Sequence, residues 1–393
     1  MSSLSLYLPP FTSDYAGAAS ALFDLDCLVA INDGSCCTAH FANYEEPRWA
    51  QGKKQTLCTN LRMNDAVFGI DDRIVRQLGE AAQELKAKRV VSLGTPVPGI
   101  IGTDMPGLAA ELESVCEIPS YGIDTNGFSH YVYGIDKVFD LVLQISKSLP
   151  KPVKKRKYIN ILGMTPIDFH LESAASLAAL LEQEDIEIGT QLFMGTSEES
   201  LAYLPYASCN LAISYAGILA AQKLEKECKI PYLACSFTSY EESQEALATL
   251  RAYMQGQQIP THNKPDSYVG EKSILIVGDQ VIANSMRHAL KDRGIHEHAK
   301  ITIASFFGID DRHAEEGDLC FADEKAFLRH LKAHSYDLVV GDPVLKHIPL
   351  IDKEAFVELV HPAISSRLYR GKEPCCGRFD LDELALKVET LLL

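Results

Sequence analysis

No uninterrupted apolar run of about 18 residues, the length a membrane-spanning helix needs, occurs anywhere in the 393-residue sequence. The opening stretch, MSSLSLYLPPFTSDYAG, lacks the basic segment followed by an apolar one that marks a secretory signal. Basic side chains are in the minority, 37 Lys and Arg against 53 Asp and Glu, giving a net charge of −16. Nucleic acid and anionic lipid surfaces both need a basic footprint, so neither is expected as a partner. Low-complexity segments are absent. So is any pair of cysteines two to four residues apart, the spacing of compact zinc sites. Neither the G-x-x-x-x-G-K-S/T phosphate loop nor the dinucleotide fingerprint appears.

What is present reads as a globular chain: 47% hydrophobic and 23% charged residues, long enough for two or three domains at roughly 150 residues each. Eleven cysteines form an odd count without an export signal, which fits reduced thiols in a cytoplasmic protein better than a disulfide framework. Cys27, Cys116, Cys209, Cys228, Cys235 and Cys320 are expected to be small buried core residues.

Short apolar runs recur at 27–31, 89–94, 158–163, 188–194, 210–215, 273–278, 301–306 and 337–341. Near-continuous apolarity is the signature of parallel strands covered on both faces. Amphipathic stretches such as 71–88 lie between them, so the expected fold class is α/β, with doubly wound, mostly parallel sheets. Two polar, proline-containing stretches, 146–157 and 255–272, each precede a fresh strand. They set expected Rossmann-like domains at 1–150, 151–265 and 266–393. In such sheets ligands bind beyond the carboxyl ends of the strands, which directs attention to the loops NDGSCC, GTPVPGIIGTD, GMTPIDF, SYAG, GDQ and GDPVLK.

The first of those loops carries Cys36 and Cys37, and Cys58 follows 21 positions after Cys37. Single cysteines on separate loops suit a cluster whose ligands come from different elements. Inert or redox-active thiols remain open readings, as does a Cys–His pair with His40. A second pair, Cys375 and Cys376, sits in EPCCGRFD. It reads as packed thiols in a buried loop, or as lining of a substrate cavity or a metal site. The glycine turns VGDQ and VGDP could cradle phosphate at helix N-termini, and the HEH at 296–298 reads as a solvated turn.

Gly34, Cys37 with TAHFANY behind it, Cys58 and MNDAVFG (63–69) together resemble the β-type chain of the nitrogenase component 1 family. The similarity continues in order through LGTPVPGIIGTDMPGL, TNGFSHYVYGID, LEKECKIPYL, ILIVGDQVIANSMRHAL and DLVVGDPVLK. The resemblance implies an iron–sulfur cluster held by Cys37 and Cys58 at a subunit interface, with Cys36 an extra neighbour. Pro96 stands where the family's third cluster cysteine is expected. Two cysteines cannot complete a 4Fe–4S site in one chain, so ligands from a second subunit are implied, in a homodimer or in a heteromer with a paralogous component 1 chain. No cysteine occurs in AGILAAQKLEK, where family catalytic chains bind their active-site cofactor. The resemblance further implies a separate ATP-hydrolysing iron–sulfur reductase protein as electron donor. His130, in the loop nearest the implied cluster, is a candidate for orienting a ligand or donating a proton. The implied function is that of a nitrogenase-like reductase component; a non-catalytic scaffold for cluster or metallocofactor assembly is the alternative.

Overall fold

The computed structural model describes residues 5–51, 56–68, 72–152, 157–257 and 270–392. Parts of both expected linkers, and the ends of the 63–69 and 71–88 stretches, lie outside the described residues. All eight apolar runs fold as strands, and every ladder between strands is parallel. The first sheet holds β1 (Leu28–Asn32), β2 (Thr56–Cys58), β3 (Val90–Gly94) and β4 (Ser120–Ile123), in the order β2-β1-β3-β4. The second holds β5 (Ile159–Leu162), β6 (Ile188–Gln191), β7 (Cys209–Ala212) and β8 (Tyr232–Ala234), ordered β6-β5-β7-β8. The third holds β9 (Lys272–Val277), β10 (Ala299–Ser305), β11 (Leu319–Cys320), β12 (Leu338–Gly341) and β13 (Phe356–Glu358), ordered β11-β10-β9-β12-β13.

Each sheet starts in its middle and winds outward both ways. The winding reverses between β1 and β3, between β5 and β7, and between β9 and β12. Those are the switch points where the loops beyond the strand ends part to leave a crevice.

The chain divides into two compact units. The cysteine-bearing unit is Thr12–Ser148 with Thr196–Leu201, and the two-sheet unit is Met1–Phe11, Leu149–Gly195 and Ala202–Leu393. In the cysteine-bearing unit Leu28, Ala30 and Val90 of the sheet pack against Ile74, Val75 and Leu78, which line one face of helix Asp72–Glu84. The N-terminal helix Asp14–Leu22 lies so close to helix Tyr131–Ser148 that only glycine fits at the crossing. A Cβ on Gly134 would fall 1.8 Å from the Asp14 carbonyl oxygen, and one on Gly17 would fall 2.2 Å from that of Tyr131. The Asp14 carboxylate then accepts the Asn126 and Gly127 N–H groups at 3.0 and 2.7 Å. Helix Asp14–Leu22 is thereby fixed against the loop that follows β4.

In the two-sheet unit one apolar core runs from Ile159, Ile161 and Leu211 to Ile274, Ile276 and Val340. The buried Glu324 carboxylate captures the N–H groups of Leu6 and Leu8, each at 2.7 Å. Among the described residues no helix is long and apolar enough to cross a membrane.

Two of the six cysteines expected in the core depart from that expectation. Cys320 ends the edge strand β11 and is exposed; Cys228 is only half-buried. Cys228 also lengthens the helix expected to lack cysteine, which runs Tyr215–Cys228. This helix leaves the carboxyl end of β7, so its last turn returns to the opposite edge of the sheet, beside Tyr158 and Ile230. Cys228 therefore sits away from the loops where ligands bind.

Candidate metal centre

β1 and β2 are neighbours with Ile31 opposite Cys58, so both chains emerge at the same edge of the first sheet. Beyond β1 the backbone turns at Ser35, which has a left-handed φ of 90°, and enters the short helix Cys36–His40. Beyond β2 it turns at Asn60, also left-handed with a φ of 50°. Such conformations are uncommon for residues other than glycine and cluster where a site constrains the chain.

Asp33 ties the two turns together. Its carboxylate accepts the Thr38 N–H at 3.1 Å, and its carbonyl accepts the Leu61 N–H at 2.8 Å and the Cys58 thiol at 3.3 Å. The Asn60 N–H donates to the Cys58 sulfur at 3.3 Å. On the other side lies the buried Tyr15, close enough that its phenol and the Cys37 thiol each perturb the other's ionisation. Cys37 and Cys58 thus both border Asp33, one at its carboxylate and one at its carbonyl.

Cys36 is exposed and begins a helical turn, not an extended loop. Consecutive helical residues point about 100° apart, so Cys36 does not share the direction of Cys37. Pro96 opens helix Pro96–Ile101 directly after β3, and its ring fills the space beside Gly127. A metal ligand is therefore replaced there by a packing residue.

Burial, and then the Asp33 charge, push the Cys37 thiol up to about 11. It is protonated at neutral pH, the reverse of what a nucleophile requires. His40 is engaged elsewhere, 3.4 Å from Glu45 and stacked on Tyr44; its pKa is raised by the Glu45 hydrogen bond. The Cys–His reading therefore lacks both an activated thiol and an available base. Iron binding fits better: it releases the thiol protons as the metal supplies the positive charge. His130 is half-buried, and burial lowers its pKa, favouring the neutral ring.

Among the described residues no group of three or more His, Cys, Asp and Glu side chains is arranged to hold a metal. The candidate donor set of this chain is two soft thiols, of which the Cys58 sulfur is hydrogen-bonded. That set fits half of a four-cysteine iron–sulfur site. Around it the surface is apolar: Met63 and Phe68 are 83% and 77% exposed, Ile100 is 74% and Phe128 is 68%. Helix Met63–Phe68 packs beside helix Pro96–Ile101, and exposed apolar side chains in such number mark a contact surface.

The remaining sequence candidates lie in the two-sheet unit. Cys376 is sealed, and Cys375 is buried at one wall of a groove of about 950 Å³ that Lys346 and Arg378 also line. Burial raises both thiols, so they are packed, protonated sulfurs. The VGDQ and VGDP turns do not cradle phosphate. The Asp279 carboxylate accepts the Val281 and Ile282 N–H groups at 2.9 and 3.3 Å, and Asp342 accepts that of Val344 at 3.0 Å. Each aspartate fills the helix N-terminus an anion would use.

Near these aspartates Asp168 meets the buried His361 at 3.1 Å, and His361 donates its backbone N–H to Asp342 at 2.9 Å. Burial, reinforced by the charge of Asp168, raises Asp279 from 3.8 to about 6. Between those two values the native protein binds more protons at this site than the unfolded chain. Asp279 therefore lowers stability as pH rises through that window, and the full penalty is present above it. In urea titrations across this range, Asp279→Asn is expected to flatten the decline while its side-chain oxygen keeps the helix cap. An unchanged pH profile would show that the carboxyl does not titrate there.

Asp33 and Tyr15 were not singled out by sequence reasoning. For Asp33 a signal exists, an acidic residue between a strand end and a glycine turn. Tyr15 has none, since its approach to Cys37 depends on how helix Asp14–Leu22 packs.

A sequence profile of nitrogenase component 1 type oxidoreductases matches residues 13–364. The chain is similar to nitrogenase iron-molybdenum cofactor biosynthesis protein NifE of Clostridium pasteurianum, 22% identical over 263 residues, covering 62% of this chain and 56% of that protein. NifE of Methanosarcina barkeri is 25% identical over 226 residues, covering 52% and 46%. A chain of the light-independent protochlorophyllide reductase of Gloeothece citriformis (strain PCC 7424) is 26% identical over 172 residues, covering 38% and 34%. The chain spans about half the length of the NifE relatives it matches. The solved structure "Nitrogenase Cp1 at pH 6.5" superposes on 100% of this chain and 94% of its own, with a TM-score of 0.68 at 15% identity, and so shares its fold. With most of its length matched by the profile and its architecture shared with a nitrogenase, the chain belongs to the nitrogenase component 1 type oxidoreductase family.

Proposed function

We propose that this chain is a nitrogenase-like reductase component that binds an iron–sulfur cluster at a subunit boundary and relays electrons to a substrate. The observation that carries this reading is the arrangement of Cys37 and Cys58 about Asp33, at adjacent parallel strand ends within an exposed apolar surface. Two thiolates leave a four-cysteine cluster half-ligated. A second subunit, either another copy or a paralogous component 1 chain, covers Met63, Phe68, Ile100 and Phe128 and brings the remaining ligands.

A 4Fe–4S cluster, when bound, supplies low-potential one-electron chemistry. The residues of this chain orient and insulate it. Asp33 holds both cysteine turns in place, Asn60 donates to the Cys58 sulfur, and the apolar surface excludes water once covered. Because the sequence has no phosphate loop, ATP hydrolysis falls to a separate iron–sulfur reductase protein that docks and delivers electrons. The likeness to a protochlorophyllide reductase chain supports the reductase reading.

The two NifE relatives, cofactor biosynthesis proteins by name, favour a second reading in which the chain is a scaffold for cluster or metallocofactor assembly. Anaerobic protein mixed with a reduced iron–sulfur ATPase separates the two. A relay is expected to show a reduced-cluster EPR signal that grows only with MgATP, while its iron stays bound. A scaffold is expected to pass iron to an apo-acceptor protein and to show no ATP-dependent signal.

A further inference from the structure

We propose that the groove beside β13 receives an extended segment of a partner protein, with alternating apolar and acidic residues, as an added strand of the third sheet. β13 is an edge strand of that sheet. The Val339 N–H donates to the Ala355 carbonyl and the Leu359 N–H to the Gly341 carbonyl, at 3.0 and 2.8 Å. Residues 355, 357 and 359 therefore face β12, and Phe356, Glu358 and Val360 turn their backbone groups outward. Among the described residues nothing hydrogen-bonds those outward groups. The groove of about 950 Å³ is lined by every residue from Phe356 to Val360. Successive side chains of a strand alternate between its faces, so a groove that touches all of them runs along the open edge.

The opposite wall is helix Asp380–Leu392, whose Leu384, Lys387 and Leu391 lie on one face at helical spacing. Leu391 is 53% exposed. An open strand edge beside such a wall suits strand addition: main-chain hydrogen bonds supply affinity, and alternate side chains meeting the wall supply specificity. Charge selects the occupant further. Lys346 is held by Glu358 at 2.8 Å and Arg378 by Glu172, while Glu373 and Asp380 are engaged by Arg370 and by the Cys375 N–H. That leaves Lys372 and Lys387, unpaired among the described residues, against the single carboxylate of Glu383. The groove thus keeps a positive surplus in a chain of net charge −16, and it favours acidic residues between the apolar ones that meet Leu384 and Leu391. Nothing in the proposal depends on Cys37 or Cys58.

The probe is a fluorescein-labelled heptapeptide of alternating valine and glutamate, titrated into the full chain and followed by fluorescence anisotropy. Saturable binding is expected, with slower hydrogen exchange over the segment 356–360. Lys372→Glu combined with Lys387→Glu is expected to weaken binding about tenfold. Both lysines are exposed, so the variant should keep the wild-type circular dichroism. The same probe N-methylated at every residue keeps its charge but loses its main-chain donors, and is expected not to bind. Absence of saturable binding overturns the proposal, as does binding that survives N-methylation or is indifferent to the charge reversal. A dimer in sedimentation whose segment 356–360 is already protected without the probe would give the groove to a second copy of this chain, and would overturn it too.

Discussion

Cys37→Ala and Cys58→Ala are each expected to lower the iron and acid-labile sulfide of anaerobically purified protein by about tenfold or more, whereas Cys36→Ala stays near wild type. The contrast follows from geometry. Cys37 and Cys58 border one residue, Asp33, and the Cys58 sulfur receives a hydrogen bond from the Asn60 N–H. Cys36 is exposed and faces another direction on the same helical turn. Neither alanine variant should unfold the chain. Both side chains are half-buried, and truncating a side chain of that size costs on the order of 1 kcal/mol. Far-ultraviolet circular dichroism should therefore match wild type while the metal is lost. Full iron content in either variant would remove that residue from the site.

Arg287→Ala is expected to destabilise the two-sheet unit by about 3–5 kcal/mol, read as a lower urea midpoint. Arg287 is a large, fully buried side chain on helix Gln280–Asp292. Its guanidinium grips both oxygens of Asp318, at 3.1 and 2.8 Å, and reaches Glu315 at 3.2 Å. Asp318 in turn accepts the Ile303 N–H from β10 at 2.8 Å. Removing the guanidinium strands a carboxylate whose side chain is 2% exposed, and that desolvated charge, more than the lost contact, sets the cost. A loss below about 1 kcal/mol, the range of an exposed pair, would mean that water reaches Asp318.

The strands legible in the sequence are those whose surroundings are apolar on both faces. β1, β3, β5, β7 and β12 are buried along their whole length, and their runs are nearly continuous. The strands missing from the eight apolar runs are β2, β4, β8, β11 and β13, and every one lies at a sheet edge. They are two to four residues long. One of them, β2, carries Cys58, which is why its register beside β1 could not be read from periodicity. Cys320 misled for the same reason, since a cysteine at the end of a two-residue edge strand is not enclosed. At the candidate site, Cys37 and Cys58 could be singled out from the order of motifs around them. Tyr15 could not, because 22 residues and a helix crossing separate it from Cys37 in the sequence. The VGDQ and VGDP turns were ambiguous until the aspartates themselves were found to cap the helices.

The most direct measurement of the central claim is anomalous scattering at the iron edge from crystals of anaerobically purified wild-type protein. The expected map has iron bonded to the sulfurs of Cys37 and Cys58 at a boundary with a second chain that completes the ligand set. A map without iron there, with both cysteines protonated and the surface around Phe68 and Ile100 open to solvent, would contradict the account.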